Sequence, residues 1–442
     1  MGLANFSTVQ TDARALVGGA GHLRTNLPWV FLGNASSALT QFCLLALFAR
    51  FSGVEFLGSY ALALSVVAVI SLLANCELRT LQATDTSQRI PFSTYFRIRC
   101  MTGLLSIGVL MAIAAWPGFS AATRMAFFAV AVARCLDGVS DVIYGRLQSR
   151  DVMTPIGKSQ CAKAVLSCAT LATALVVAGR VTWAIWSPAA ASAGVLLVYD
   201  ARNLYRFGAV SGQHLLAGAW RTAARQGWPL LRLGLPLALV NSLVSLHAAI
   251  PRMVLTRYRG EAGAGIASAL LYAVIAPNLF LMALGQVSVT GLSRGFCLRQ
   301  RTTFLRNLRR LLTAAVLLGG VTVGVALLCG GPLLRLIYGP RLELYSRELT
   351  LFSAASSLGL LSTAVGYGIS SARIFAPQLP MMLSVCAVSA LFCWLFIPGW
   401  GLRGAAWAQL VSSSWQLALN FALLSHFVLR ELKEGDDART DG

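Results

Sequence analysis

Between residues 28 and 428 one pattern recurs twelve times: a run of mainly apolar residues, then a short polar break. An α-helix rises 1.5 Å per residue, so roughly 20 such residues cross about 30 Å of hydrocarbon with every backbone group satisfied internally. The runs are 28–49, 58–76, 100–117, 125–147, 160–179, 182–199, 233–251, 265–292, 311–329, 349–370, 378–397 and 404–428. The expected fold is therefore an all-α polytopic membrane protein with about twelve transmembrane helices. Runs four and five are the least apolar, and each is kept because omitting it spoils the charge alternation described next. The first run is too long for a signal-peptide core and should remain as a helix.

Of the 442 residues, 57% are hydrophobic and 12% charged, far from the balance of a soluble domain. Thirty-three Arg and three Lys face 16 acids, a net charge of +20 that in a soluble protein would suggest nucleic acid. Here the arginines crowd the breaks, as basic residues do in cytoplasmic loops, so nucleic acid is not an expected partner. With the N-terminus inside, the inward segments (1–27, 77–99, 146–163, 200–232, 293–310, 371–377 and the tail) hold 25 Lys plus Arg against 10 outside. Arg134 alone is left within a span. Both termini are thus predicted cytoplasmic.

The longest break, 200–232, leaves no room for a soluble catalytic domain, and the four scattered histidines form no metal or triad pattern. No enzyme activity, cofactor or metal is expected. The ten cysteines include no CxxC pair and are read as small packing residues. PIGKS (155–159) lacks the first glycine of a P-loop, Val152 standing there, and GVTVG (320–324) reads as a helix–helix contact.

A shift of 207 residues lays LGNASSALTQFCLLALFARFSGVEFLG (32–58) on LVNSLVSLHAAIPRMVLTRYRGEAGAG (239–265). Asn34 meets Asn241, Leu39 Leu246, Arg50 Arg257, Phe51 Tyr258, Gly53 Gly260 and Gly58 Gly265. Six spans separate the copies, so the repeat is parallel and relates two six-helix lobes by a pseudo-two-fold axis along the membrane normal. The expected organisation is a cytoplasmic segment (1–27), a first lobe (28–199), a basic linker (200–232), a second lobe (233–428) and an acidic tail (429–442).

In the fourth span Arg134, Asp137 and Asp141 stand at i, i+3 and i+7, with Tyr144 and Gln148 continuing the same face. Each charge near the bilayer centre costs about 2.5 to 3.5 kcal/mol on insertion scales, so this face must look into protein or water. It is read as the lining of a cavity between the lobes; the bland alternative is an Arg134–Asp137 ion pair along the helix. Lys163 is placed to pair with Asp141, to bind an anion or to snorkel. Asn34, Gln41, Asn241 and His247 add polarity to the first and seventh spans, as cavity lining or as interhelical glue. Arg252, Arg257 and Arg259 lie in an outward loop, on the wrong side for the charge rule, where they suit a phosphate. RQRTTFLRNLRR (299–310) suits anionic lipid heads.

Three segments carry a family resemblance: FARFSGVEFLGSYALALSVVAVISLLANCELRTLQATD (48–85), DGVSDVIYGRLQSRDVMTPIGKS (137–159) and GLPLALVNSLVSLHAAIPRMVL (234–255). They resemble the opening hairpin, the S-D-x-x-Y-G-x-x-Q segment and the G-L-P-L helix of the Wzx-type polysaccharide repeat-unit flippases. These form a branch of the multidrug/oligosaccharidyl-lipid/polysaccharide exporter superfamily. The resemblance implies two six-helix lobes in a V. It also implies export of an undecaprenyl-diphosphate-linked oligosaccharide, with membrane lipids and polysaccharide polymerase or other assembly proteins as partners. Arg134, Asp137, Asp141, Lys163, Asn34, Gln41, Asn241, Arg252 and Arg257 are the candidate substrate contacts, and Asp137 or Asp141 the candidate ion-coupling group. A multidrug and toxin extrusion exporter is the alternative with the same architecture.

Overall fold

The computed structural model of the protein describes residues 20–51, 53–84, 90–150, 152–176, 181–207, 220–372, 374 and 377–430. They are helical, with no strand among them. The first lobe contains α1 (Ala20–Phe51), α2 (Gly53–Asn75), the short α3 (Leu78–Thr84), α4 (Phe92–Ala114), α5 (Ala121–Gln148) and α6 (Thr154–Val176). Its sixth pass is composite: α7 (Ser187–Val195), a π-helical turn (Leu196–Asp200) and α8 (Ala201–Phe207). The second lobe contains α9 (Trp220–Ala273), α10 (Ala276–Cys297), α11 (Arg301–Tyr338), α12 (Ser346–Ser371), α13 (Gln378–Trp400) and α14 (Leu402–Leu423). α9 bends back at Gly260, so its two arms belong to the seventh and eighth passes. Twelve passes result.

By length and composition alone six of these helices suffice to cross a membrane. The fourth and fifth passes, α5 and α6, are not among the six, because polar and charged residues lower their mean hydropathy. The described turns at 115–120, 260, 339–345 and 401 lie at one end of the bundle, called here the far end. Those at 76–77, 149–150 and 298–300 lie at the other, the termini end.

The repeat read from the sequence is visible in the backbone. Gly53 and Gly260, its equivalent, both start a returning helix with positive φ, 84° and 71°, which an L side chain rarely adopts. α2 then crosses the second arm of α9 so closely that a Cβ on Gly58 would sit 1.7 Å from the Glu261 carbonyl, and one on Gly265 would sit 2.0 Å from that of Val54. Val54 and Glu261 are themselves 207 apart. Each glycine meets the partner's equivalent residue, so the pseudo-two-fold axis passes between them, as a self-complementary contact requires.

The buried apolar residues distribute unevenly along this axis. One core in the far half joins the lobes, with Phe48, Leu57, Val67, Ala267, Leu270 and Phe352 among its members. Toward the termini end the cores separate. One packs Leu78, Tyr95, Ile143 and Leu204 with Leu230 of α9, and the other packs Leu281, Phe304, Leu308 and Val365. The lobes thus share one core in the far half, and below it only the first arm of α9 still packs on the first lobe, through Leu230 and the Asn241–Glu77 bond.

Glu261 reinforces the fastening. Its carboxylate accepts from Ser59 Oγ at 2.6 Å, from Ser120 Oγ at 2.9 Å and from Thr123 Oγ1. Ser120 is also the N-cap of α5, accepting from the Thr123 N–H, so the carboxylate stands at the positive end of that helix. Burial pushes the Glu261 carboxyl up, but these hydroxyl donors outweigh it and hold the group below the usual carboxylate range.

Two expectations fail here. Gly320 and Gly324 have nothing within 4 Å of a built Cβ; the close contact on α11 is made one residue earlier, where Gly319 meets Ser357. Arg252 does not lie in an outward loop, because α9 stays helical to Gly260 and carries the arginine into the packing between α2 and α9.

Candidate functional site

α5 presents Arg134, Asp137, Asp141 and Tyr144 to a cavity of about 290 Å³. α1 contributes Ser37, Thr40 and Gln41, α6 Gln160 and Lys163, and α7 Ser192, with Tyr60 and Leu64 from α2. Arg134 is fourteen residues past the N-cap Ser120, so it lies about 21 Å from the far end, halfway along the 28-residue helix. Every lining residue falls within 37–192. The cavity is therefore inside the first lobe, where the sequence reading placed it between the lobes. The reason is that α1, α2, α6 and α7 pack around the polar face of α5.

The charges within this space form one connected network. Lys163 donates to Asp137 Oδ1 at 3.1 Å and to Ser140 Oγ at 2.8 Å, and lies 3.9 Å from Asp200 Oδ2. Ser192 donates to the same Asp137 oxygen at 2.8 Å. Asp200, only 2% exposed, accepts from Ser159 at 2.6 Å and from the Tyr144 hydroxyl at 3.4 Å. Asp141 is held by Arg79 at 3.3 Å, which also donates to Gln148. Arg79 and Lys163 both approach the Tyr144 ring, at 5.5 and 5.6 Å from its centroid, which links the two pairs electrostatically. Lys163 thus pairs with Asp137 and Asp200 and not with Asp141, because Asp141 lies one turn lower on α5, beside Arg79.

The helical Arg134–Asp137 pair does not form. Arg134 has no carboxylate within 4 Å among the described residues, and both neighbouring acids are committed elsewhere. It is the cavity cation without an ion-pair partner.

The remaining candidates lie at the lobe boundary or beyond it. Gln41 lines the cavity and donates to Tyr272 of α9 at 2.8 Å, so it bridges the lobes. Asn241 donates to Glu77 at 2.7 Å, and Arg252 donates to Ser65 at 2.7 Å with its guanidinium 5.8 Å from the Tyr272 ring. His247 is buried against Ser412 at 3.0 Å inside the second lobe. Arg257 is exposed at the far end, away from the cavity lining. The side chain of Asn34 lies outside the described residues.

Asp200 and Arg79 were missed by reading spans. Asp200 follows VLLVY at the end of an apolar run and looks like the first residue of a loop, yet the π-turn Leu196–Asp200 keeps it in the helix and swings it inward. Arg79 stands just beyond two consecutive left-handed residues, Cys76 (φ 46°) and Glu77 (φ 48°), a turn that folds α3 back under α5.

No family model matches the chain. A curated relative, the capsular polysaccharide biosynthesis protein CapF of Staphylococcus aureus, is 22% identical over 396 residues, covering 86% of this chain and 94% of the relative. Among solved structures, the lipid II flippase MurJ in an inward closed conformation superposes with a TM-score of 0.72 at 12% identity, over 91% of this chain and 89% of its own. An inward-facing multidrug resistance MATE family transporter of the MOP superfamily superposes with a TM-score of 0.69 at 14% identity, over 90% and 96%. The chain has the two-lobe fold of the MOP-superfamily transporters and is a multi-pass membrane protein.

Proposed function

We propose that the protein is a flippase. It moves an undecaprenyl-diphosphate-linked oligosaccharide from the cytoplasmic to the periplasmic face of a bacterial inner membrane, for assembly of a surface polysaccharide such as O-antigen, capsule or exopolysaccharide. The observation that carries this reading is Arg134: a guanidinium halfway along α5, open to a polar cavity, with no carboxylate partner among the described residues. A sugar-diphosphate head loses its water in hydrocarbon without replacement. A cavity with a free guanidinium, Lys163, and the amide and hydroxyl groups of Gln41, Thr40 and Ser37 replaces it, while the lipid tail stays in the bilayer. The biosynthetic role in the curated relative's name supports the same direction.

In this reading the termini end is cytoplasmic, where the sequence places 25 of 36 basic residues. One core joins the lobes in the far half, so the cavity fills from the termini end, and rocking about the Gly58–Gly265 crossing reverses access. Asp137 and Asp141 serve as the coupling groups. A diphosphate that draws Lys163 or Arg79 away leaves each carboxylate unpaired in a poorly solvated site, where it takes a proton. The exported unit is then handed to a polymerase.

A multidrug and toxin extrusion exporter shares the fold. A cationic drug needs a free carboxylate, however, and both cavity carboxylates here are bonded to cations. Disrupting the gene separates the two. Lipid-linked repeat units that accumulate inside, with no polymer outside, support flipping; normal polymer with heightened dye sensitivity supports drug export.

A further inference from the structure

A second hollow, of about 580 Å³, opens at the far end of the second lobe, well away from the mid-membrane cavity. It lies around the turn that joins α13 to α14 at Gly401 and is lined by Glu348, Gly399, Trp400, Leu402, Arg403 and Trp407. Its floor is a carboxylate. Glu348, in the first turn of α12, has a side chain only 9% exposed and accepts from Arg403 Nε at 2.8 Å.

That pair is incomplete as an ion pair. A guanidinium meeting a carboxylate for stability alone prefers two parallel bonds, and Arg403 uses Nε only. Its Nη groups and Glu348 Oε2 have no partner among the described residues, and the arginine side chain is 60% exposed. The hollow therefore offers several donors beside an acceptor, with the net charge already cancelled. Two large indoles flank it: Trp400, stacked on Phe396 with centroids 5.3 Å apart, and Trp407, both substantially exposed. Tryptophans at a membrane surface often serve as bilayer anchors. An anchor does not require a buried carboxylate, and a carboxylate set beside lipid is costly.

We infer that this hollow is a saccharide subsite on the release side of the membrane. The aromatic faces would cover the C–H face of a pyranose ring, while Arg403 and Glu348 would donate to and accept from adjacent hydroxyls. The inference rests on the proposed saccharide substrate and adds a second contact for it, in the opposite lobe from the first.

The test uses the purified full chain in nanodiscs and three soluble probes: chitotriose, maltotriose and trigalacturonate. Saturation-transfer NMR should detect at least one of them. Its affinity should fall about tenfold or more in Trp400→Ala/Trp407→Ala, with melting unchanged, and in Arg403→Ala, where the unpaired Glu348 also lowers melting, since such sites owe most of their energy to a few contacts. Affinity unchanged in the double variant overturns the subsite. So does the absence of binding by all three probes, with the two tryptophans quenched only by brominated lipid. If lipid-linked units are flipped in reconstituted vesicles while no trimer binds, only the subsite falls. Trimer binding that the variants abolish, in a protein that flips nothing, removes the proposed function and leaves the subsite standing.

Discussion

The two lobes share a plan and differ in chemistry. Across the five spans 265–292, 311–329, 349–370, 378–397 and 404–428 the second lobe has no Asp, Glu, Lys or Arg. The first lobe sets Arg134, Asp137, Asp141 and Lys163 within its fourth and fifth spans and gathers Arg79 and Asp200 around them. Duplication explains the common backbone, down to the paired turns at Gly53 and Gly260. It does not explain the charges, since each one set near the middle of a span opposes insertion by about 2.5 to 3.5 kcal/mol. The second lobe's Arg252 is packed singly against Ser65 and Tyr272, whereas the first lobe's charges gather around one cavity, and that difference marks where the work is done.

The comparison breaks first at Arg134. Arg134→Ala should lower transport of lipid-linked units at least tenfold, about 1.4 kcal/mol or more of lost recognition, while the protein still inserts at normal levels. His247→Ala, which removes a buried polar group from the second lobe, should leave transport within about twofold. Equal losses in both would make the asymmetry meaningless. Quantitative export from membrane vesicles reads both variants.

The next effect is on stability. Lys163→Met leaves Asp137 and the buried Asp200 without their cation and should destabilise the first lobe by about 3 kcal/mol. Adding Asp200→Asn should restore part of that loss, because the unpaired charge is then gone. Thermal unfolding in detergent checks the pair of variants, and an unaltered midpoint for Lys163→Met would show that the network is not structural.

Smaller effects follow at the crossing of the lobes. Gly265→Ala forces the α2–α9 contact apart, since the added Cβ would lie 2.0 Å from the Val54 carbonyl. A disulfide between cysteines introduced at Val54 and Glu261 should form more slowly in that variant. Last comes pH. The Glu261 carboxyl titrates below its ordinary range in the folded state, so its contribution is present above the unfolded value and lost as pH falls through the lower, folded one. Acid should loosen the far end, and Glu261→Gln should flatten that dependence in melting curves recorded from neutral to acidic pH.

Much of this was legible in the sequence because it follows from periodicity. The twelve runs, the 207-residue repeat and the single polar face of α5 all read along one strand of text. The ionic partners do not. Lys163 chooses Asp137 over Asp141 by the relative rotation of α5 and α6, and Arg79 reaches Asp141 only because the turn at Cys76 and Glu77 folds α3 back. Asp200 resembled a loop residue until the π-turn placed it inside. The location of the cavity was misjudged for a related reason: facing directions of helices within a lobe are set by packing among five elements, which no single span records.

The central claim is that the first lobe's unpaired guanidinium receives the anionic head of a lipid-linked sugar. The most direct measurement is transfer of fluorescent undecaprenyl-diphosphate oligosaccharide across proteoliposomes that contain wild type, Arg134→Lys or Arg134→Ala. The account predicts fast transfer by wild type, partial transfer by Arg134→Lys and near-background transfer by Arg134→Ala. Equal transfer by all three, or transfer of cationic dyes in place of the lipid, would contradict it.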